Sequence, residues 1–220
     1  MDHAQDPTPV NDRIDDPWPV AQYRVRDGKK VNLDKKAGDD DGDLDKTTGR
    51  DRTDQLLNSL QTLQELLYAE GRHGLLVVLQ AMDTGGKDST IRNVFGPLNP
   101  QGCRVANSKA PTTRELGHDF LWRIHQHAPA KGQIAVFNRS HYEDVLVVRV
   151  KQLVPAVQWR ARNGHINAFE KMLADEGAMV LKFFLHITKA YQAKRLQRRL
   201  DRPEKHWKFE SADVAVRVLS

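Results

Sequence analysis

The stretch GLLVVLQAMDTGGKDSTIRNVFG, Gly74 to Gly96, decides how the rest of the chain is read. Between Gly74 and Gln80 it is continuously aliphatic, a pattern that suits a parallel strand buried on both faces. A glycine turn comes next, and TIRNVF then opens a helix that Gly96 and Pro97 stop. From Ala81 to Gly86 and Lys87 the spacing matches the phosphate-loop pattern G-x-x-x-x-G-K at every position but the first. Ala81 stands where a glycine is expected, and Asp88 where Ser or Thr would succeed the lysine.

Working outward, strands and helices alternate. Upstream, Leu56, Leu57, Leu60, Leu63, Leu66 and Leu67 recur at three and four residues, predicting a helix with one buried face, capped at Asp54 and ending near Gly71. Downstream, CRVANS (103–108) and GQIAVFNRS (132–140) read as strands. Between them TRELGHDFLWRIHQHA (113–128) places Leu116, Phe120 and Ile124 on one helical face. AFEKMLADEG (168–177) reads as a helix and AMVLKFFLHIT (178–188) as another buried strand. Such alternation predicts an α/β sheet with right-handed crossovers.

The formal net charge is +5 over 220 residues, and it is unevenly spread. Residues 1–50 hold 9 Lys/Arg against 12 Asp/Glu, leaving 25 against 17 in residues 51–220. AGDDDGDLDKTTG (37–49) has no apolar period, so 1–50 is expected to be a mobile arm and 51–220 the folded domain. A basic domain suits a polyanionic partner. Too few aromatics are interleaved with the basic residues for a nucleic-acid stacking platform. One cysteine, Cys103, excludes an internal disulfide. With no apolar run near the ~20 residues of a membrane span and no secretion signal, a cytoplasmic protein without membrane association is expected.

Several residues in this frame carry chemistry. A loop between strand and helix exposes backbone N–H groups to an anion; Gly85 and Gly86 let it curl, and Lys87 neutralises phosphate oxygens. A carboxylate inside such a loop repels phosphate unless a cation lies between them, so Asp83 is expected to help hold Mg²⁺. The third strand runs into FNRSHYEDVLVVRV (137–150), whose Arg139, Glu143 and Asp144 would meet Lys87 at the carboxyl edge of the sheet. Over residues 188–209 there are eight Lys/Arg and two Asp/Glu, and Arg195, Arg198, Arg199 and Arg202 line one helical face. Above a phosphate crevice that helix would act as a closing lid.

Read together, QAMDTGGKDSTI, NPQGCRV, KAPT, HDFLWRIH, FNRSHYEDVLVVRV and RLDRPEKHWKF resemble the polyphosphate kinase type 2 family, in consistent order over about residues 50 to 215. The resemblance implies a P-loop kinase-like three-layer sandwich with a parallel sheet and a helical lid near 188–209. It implies Mg²⁺-assisted, reversible phosphoryl transfer between inorganic polyphosphate and AMP or ADP. Catalysis would fall to Asp83, Lys87, Arg139, Glu143 and Asp144. Asp83 and Asp144 would hold the metal. Phosphate would be bound by Gly85, Gly86, Lys87, Asp88, Ser89, Lys109, Arg149, Arg195, Arg198, Arg199 and Arg202. Asn138, Glu143 and Asp144 resemble the branch that accepts both mono- and diphosphates, and a homo-oligomer is implied. Family members usually continue past EKHWKF, so part of the family domain is expected to be missing beyond SADVAVRVLS. Two other readings stand beside this one: an ATP-dependent nucleotide kinase of the thymidylate type, and a shortened, non-catalytic polyanion binder.

Overall fold

The structure, a computed structural model, describes residues 20–25, 28–40, 42–108 and 110–202. The described residues fall into two units divided after Lys36. The first contains a helical turn, Val20–Tyr23, and a 3-10 turn, Leu33–Lys35. The second holds a sheet of four parallel strands: β1 (Gly74–Ala81), β2 (Cys103–Asn107), β3 (Ile134–Arg139) and β4 (Ala178–Leu185), in the order β2-β3-β1-β4.

Because β1 is central, its side chains feed two cores. Leu76 and Val78 join Ala106, Ile124, Ala135, Phe137 and Phe169 on one face. Val77 and Leu79 join Leu98, Ile134 and Val136 on the other, where Leu60 and Leu67 pack. An unbroken aliphatic run is what a strand with two covered faces requires, and each fully buried Leu or Val contributes about 1.5–3 kcal/mol. Phe169 belongs to helix α4 (Ala156–Asp175), while Leu60 and Leu67 belong to helix α1 (Lys46–Glu70), so helices flank both faces. The remaining longer elements are α2 (Lys87–Thr90), which runs into a π-helical turn at Ile91–Phe95, α3 (Glu143–Val150) and α5 (Lys189–Leu200).

Several expectations change at this level. Helix α1 starts before Asp54: Asp45 caps it by accepting from the N–H groups of Thr47 and Thr48, and the bond from the Thr48 hydroxyl, with those N–H bonds after it, holds the Asp45 carboxyl below its usual range. Its leucines do not all face inward. Leu56, Leu63 and Leu66 are exposed, and the inner face is Leu57, Leu60, Gln64 and Leu67. Gln64 is buried because its Oε1 accepts from the Asn99 N–H, and Gln61 Nε2 donates to the Pro97 carbonyl. The single helix expected over 113–128 is two isolated turns, Thr113–Leu116 and Trp122–His125. Thr112 and Glu115 form a reciprocal cap on the first, Asp119 Oδ1 accepts from the N–H groups of Leu121 and Trp122 before the second, and Leu116 is left exposed. Helix α4 begins twelve residues earlier than expected. β4 is not buried on both faces. It pairs only with β1 among the described residues, and Met179, Phe183 and Phe184 are exposed. No helix among the described residues is long and apolar enough to cross a membrane.

Candidate active site

The loop at the end of β1 is shaped by sterics before charge enters. Thr84 and Gly86 both take the left-handed backbone conformation, with φ 62° and 104°. A side chain on Gly86 would lie 3.3 Å from the Arg195 guanidinium as well as being strained there. At Gly85 an added Cβ would collide with the Cβ of Ala81 and stand 2.7 Å from the Met82 carbonyl oxygen. This accounts for Ala81 at the first position of the pattern: its methyl occupies the space that Gly85 leaves open. Lys87 reaches back so that its Nζ donates to the Ala81 carbonyl at 3.4 Å, and Asp83 presents a side chain that is 39% exposed.

Helix α5 is seated on this loop. Thr188 caps it by accepting from the Tyr191 N–H, and Ile187 and Leu196 bury its inner side. Gln192, also buried, donates from Nε2 to the Asp83 carbonyl at 3.0 Å. One turn on, Arg195 reaches Gly86 while stacking over the Tyr191 ring; Arg199 Nη1 comes within 3.6 Å of Asp83 Oδ2. Arg198 and Arg202 are exposed on the same stripe.

The end of β3 closes the other side. Asn138 Nδ2 donates to Asp88 Oδ1 at 3.0 Å, joining it to the start of α2. Arg139 is exposed at the strand's end, and Glu143 is half-buried in the first turn of α3. Next to it, Asp144 is buried and turned toward two guanidinium groups: Arg123 at 3.2 Å and Arg162 at 3.9 Å, the latter also donating to the Asp144 carbonyl.

Below these residues lies a polar cluster. Glu170 Oε1 accepts from Tyr142 Oη at 2.9 Å and lies 3.1 Å from His141 Nε2; Oε2 accepts from Lys182 Nζ at 2.6 Å. Burial alone would raise the Glu170 carboxyl, but the bonds from His141, Lys182 and Tyr142 outweigh it and hold it at about 2. An ionised Glu170 only accepts, so His141 Nε2 is the donor. Burial, and after it the negative charge of Glu170, pushes the Tyr142 hydroxyl up; Lys182 is also raised, because its bonds to Glu170 and Tyr142 outweigh desolvation. The cluster pins the Ser140–Tyr142 turn to α4 and β4, and so fixes the stretch between Arg139 and Glu143.

Thus Asp83, Gly85, Gly86, Lys87 and Asp88 are brought together with Asn138, Arg195 and Arg199. Ser89 is exposed beside them on α2. Asp144 sits between its arginines, and Arg149 stacks over Trp159 in the last turn of α3. Lys109 and the PEKHWKF end of the lid beyond Arg202 lie outside the described residues. Sequence reasoning missed Gln192, Arg123, Arg162, Glu170 and Lys182. The one signal for Gln192 was its position four residues before Leu196, on the inner side of an arginine-rich helix.

A central parallel strand ending in a glycine turn, with helices on both faces of its sheet, defines a P-loop kinase-like α/β protein. Within that class the match is specific: the polyphosphate kinase 2 family matches residues 43–218, and the chain belongs to that family. It is 54% identical over 202 residues to an AMP/ADP-polyphosphate phosphotransferase of Meiothermus ruber, covering 91% of this chain and 76% of that protein. It is 42% identical over 212 residues to an ADP-polyphosphate phosphotransferase of Rhodopseudomonas palustris, covering 89% and 72%. The crystal structure of a polyphosphate kinase 2 from Arthrobacter aurescens TC1 superposes with a TM-score of 0.85 at 40% identity, covering 91% of this chain and 72% of that one.

Proposed function

We propose that this chain transfers phosphoryl groups between inorganic polyphosphate and nucleoside mono- and diphosphates, in either direction. One observation carries the reading: an arginine-bearing helix is seated directly on the glycine turn, with Arg199 3.6 Å from Asp83 and Arg195 against Gly86. Phosphate chains require several cations along one groove, and Lys87, Arg195, Arg198, Arg199 and Arg202 supply them. The kinship with an AMP/ADP-polyphosphate phosphotransferase supports both acceptors. Such substrates are consistent with a cytoplasmic protein.

Mg²⁺ fits the residues present. Mg²⁺ usually takes one or two carboxylates and completes its shell with phosphate oxygens and water. Among the described residues no group of three or more metal-binding side chains occurs, but Asp83 offers one exposed carboxylate within the loop. Asp144 would have to exchange an arginine for the metal, so Asp83 is the principal ligand in this reading. When bound, the ion neutralises charge on the phosphates being exchanged. Lys87 would leave the Ala81 carbonyl for phosphate oxygens, and Arg139 would stabilise charge on the group in flight. Glu143, half-buried at the start of α3, would face the acceptor. The transfer needs no covalent protein intermediate: positioning and charge neutralisation carry it.

The test is incubation of the purified protein with Mg²⁺, AMP and long-chain polyphosphate, and then separation of ADP and ATP. A parallel arm offers ATP as donor to AMP. Nucleotide formed from polyphosphate supports the proposal; product from ATP alone favours a thymidylate-type kinase; salt-sensitive polyphosphate binding without product favours a polyanion binder.

A further inference from the structure

Helix α5 meets the loop through a side chain that carries no charge. Gln192 is only 2% exposed, and its bond to the Asp83 carbonyl joins residues 109 positions apart. The bond falls on the peptide leading into Thr84, a β-branched residue held at φ 62°. Such a residue is strained in the left-handed region and stays there only when its surroundings hold it. No peptide among the described residues is cis. In a trans peptide the carbonyl and the N–H point in opposite directions, so fixing the Asp83 carbonyl toward Gln192 turns the Thr84 N–H away from it. The direction of backbone N–H groups is what makes a curled loop grip an anion. The seam is also short of partners: Gln192 Oε1 and Thr84 Oγ1 are buried with no hydrogen bond. The amide therefore makes one bond in place of several, and that bond goes to the loop.

We propose that Gln192 is a positioning residue: it sets the orientation of the Asp83–Thr84 peptide, and so couples the seating of the arginine-bearing helix to the phosphate-gripping shape of the loop. This rests on the loop being the phosphate-binding element of the function proposed above. A phosphate chain that settles the loop also settles the helix carrying Arg195 and Arg199. A loop that loses its hold on the Asp83 carbonyl grips the polymer less well, even with every charged group in place.

Two variants of similar shape test it. Gln192→Met removes the donor, and Gln192→Glu sets an acceptor against the carbonyl. Steady-state kinetics are read separately against polyphosphate and nucleotide, beside Lys87→Ala and a thermal melt. Losing a buried hydrogen bond predicts a rise of about 10-fold in KM for polyphosphate in Gln192→Met, and a larger one in Gln192→Glu, with KM for nucleotide unchanged. Wild-type KM for polyphosphate in both variants, or equal changes in both KM values that track lost thermal stability, would overturn the proposal. Lys87→Ala separates the two layers: full turnover in that variant removes the loop reading itself, whereas a dead Lys87→Ala beside wild-type-like Gln192 variants removes only the positioning role. Amide hydrogen exchange on the wild-type chain, with and without Mg²⁺ and tripolyphosphate, needs no variant. Residues 82–86 and 189–193 should gain protection together, and protection of the loop alone would refute the coupling.

Discussion

The junction of loop and helix α5 and the cluster around Glu170 are both built from charged and polar groups, yet they are held in different ways. At the junction the ion pair is long and half-open: 3.6 Å, with Arg199 and Asp83 side chains 22% and 39% exposed. In the cluster Glu170 accepts from three donors, two of them within 3 Å, and His141 is fully buried. Partly exposed ion pairs contribute little to stability and exchange partners readily, whereas removing one member of a buried network leaves the others uncompensated. The difference separates tasks. Groups proposed to meet substrate are loosely engaged, and those fixing the Ser140–Tyr142 turn are locked.

That comparison can be broken in four places, beginning with the largest effect. Lys87→Ala should abolish transfer, a loss of about 10³-fold or more in kcat, with thermal stability nearly unchanged; coupled product assays and a melt read both. Arg199→Gln should raise KM for polyphosphate about 10-fold and flatten its salt dependence without lowering the melting temperature. A stability loss there would show the junction to be as structural as the cluster. Glu170→Gln should do the reverse, costing on the order of 3 kcal/mol in a urea titration. Acid provides the same test without a mutation. Glu170 is held at about 2, below the ordinary glutamate value of 4.5, so its contribution is present above pH 4.5 and is lost as pH falls from there toward 2. Stability that stays flat across that window in wild type would sink the locked-cluster view. The smallest effect belongs to the exposed side of α1, where Leu63→Gln should change stability by no more than about 0.5 kcal/mol.

Much of the fold was legible because β1 announces itself. A five-residue aliphatic run, Leu75 to Leu79, that opens on a glycine and leads into a glycine turn has few homes besides the middle of a parallel sheet, and the glycine-lysine spacing at its end suits a helix directly after the turn. Helical boundaries were less legible because local capping overrides periodicity. At 113–128 the three-and-four spacing is real, but Gly117 and the Asp119 side chain interrupt the backbone ladder, and two turns replace one helix. At α4 the Asn163-Gly164 pair looks like a stop, yet the helix runs through it. Buried Ile166 and Phe169 outweigh a glycine penalty of about 1 kcal/mol. Within the site, residues lying in one short motif could be read together. Partners drawn from distant segments could not: Asn138 with Asp88, Gln192 with Asp83, and Arg123 with Asp144 leave no spacing to find.

The fit between Ala81 and Gly85 has a consequence for anyone altering this loop. The first and fifth positions share room for a single methyl group, so neither can be chosen without regard to the other. Alanine at 85 would crowd its neighbour, and glycine at 81 would open a hollow beneath the turn. Randomised libraries, and grafts of this turn onto other scaffolds, should therefore vary the two sites as a linked pair.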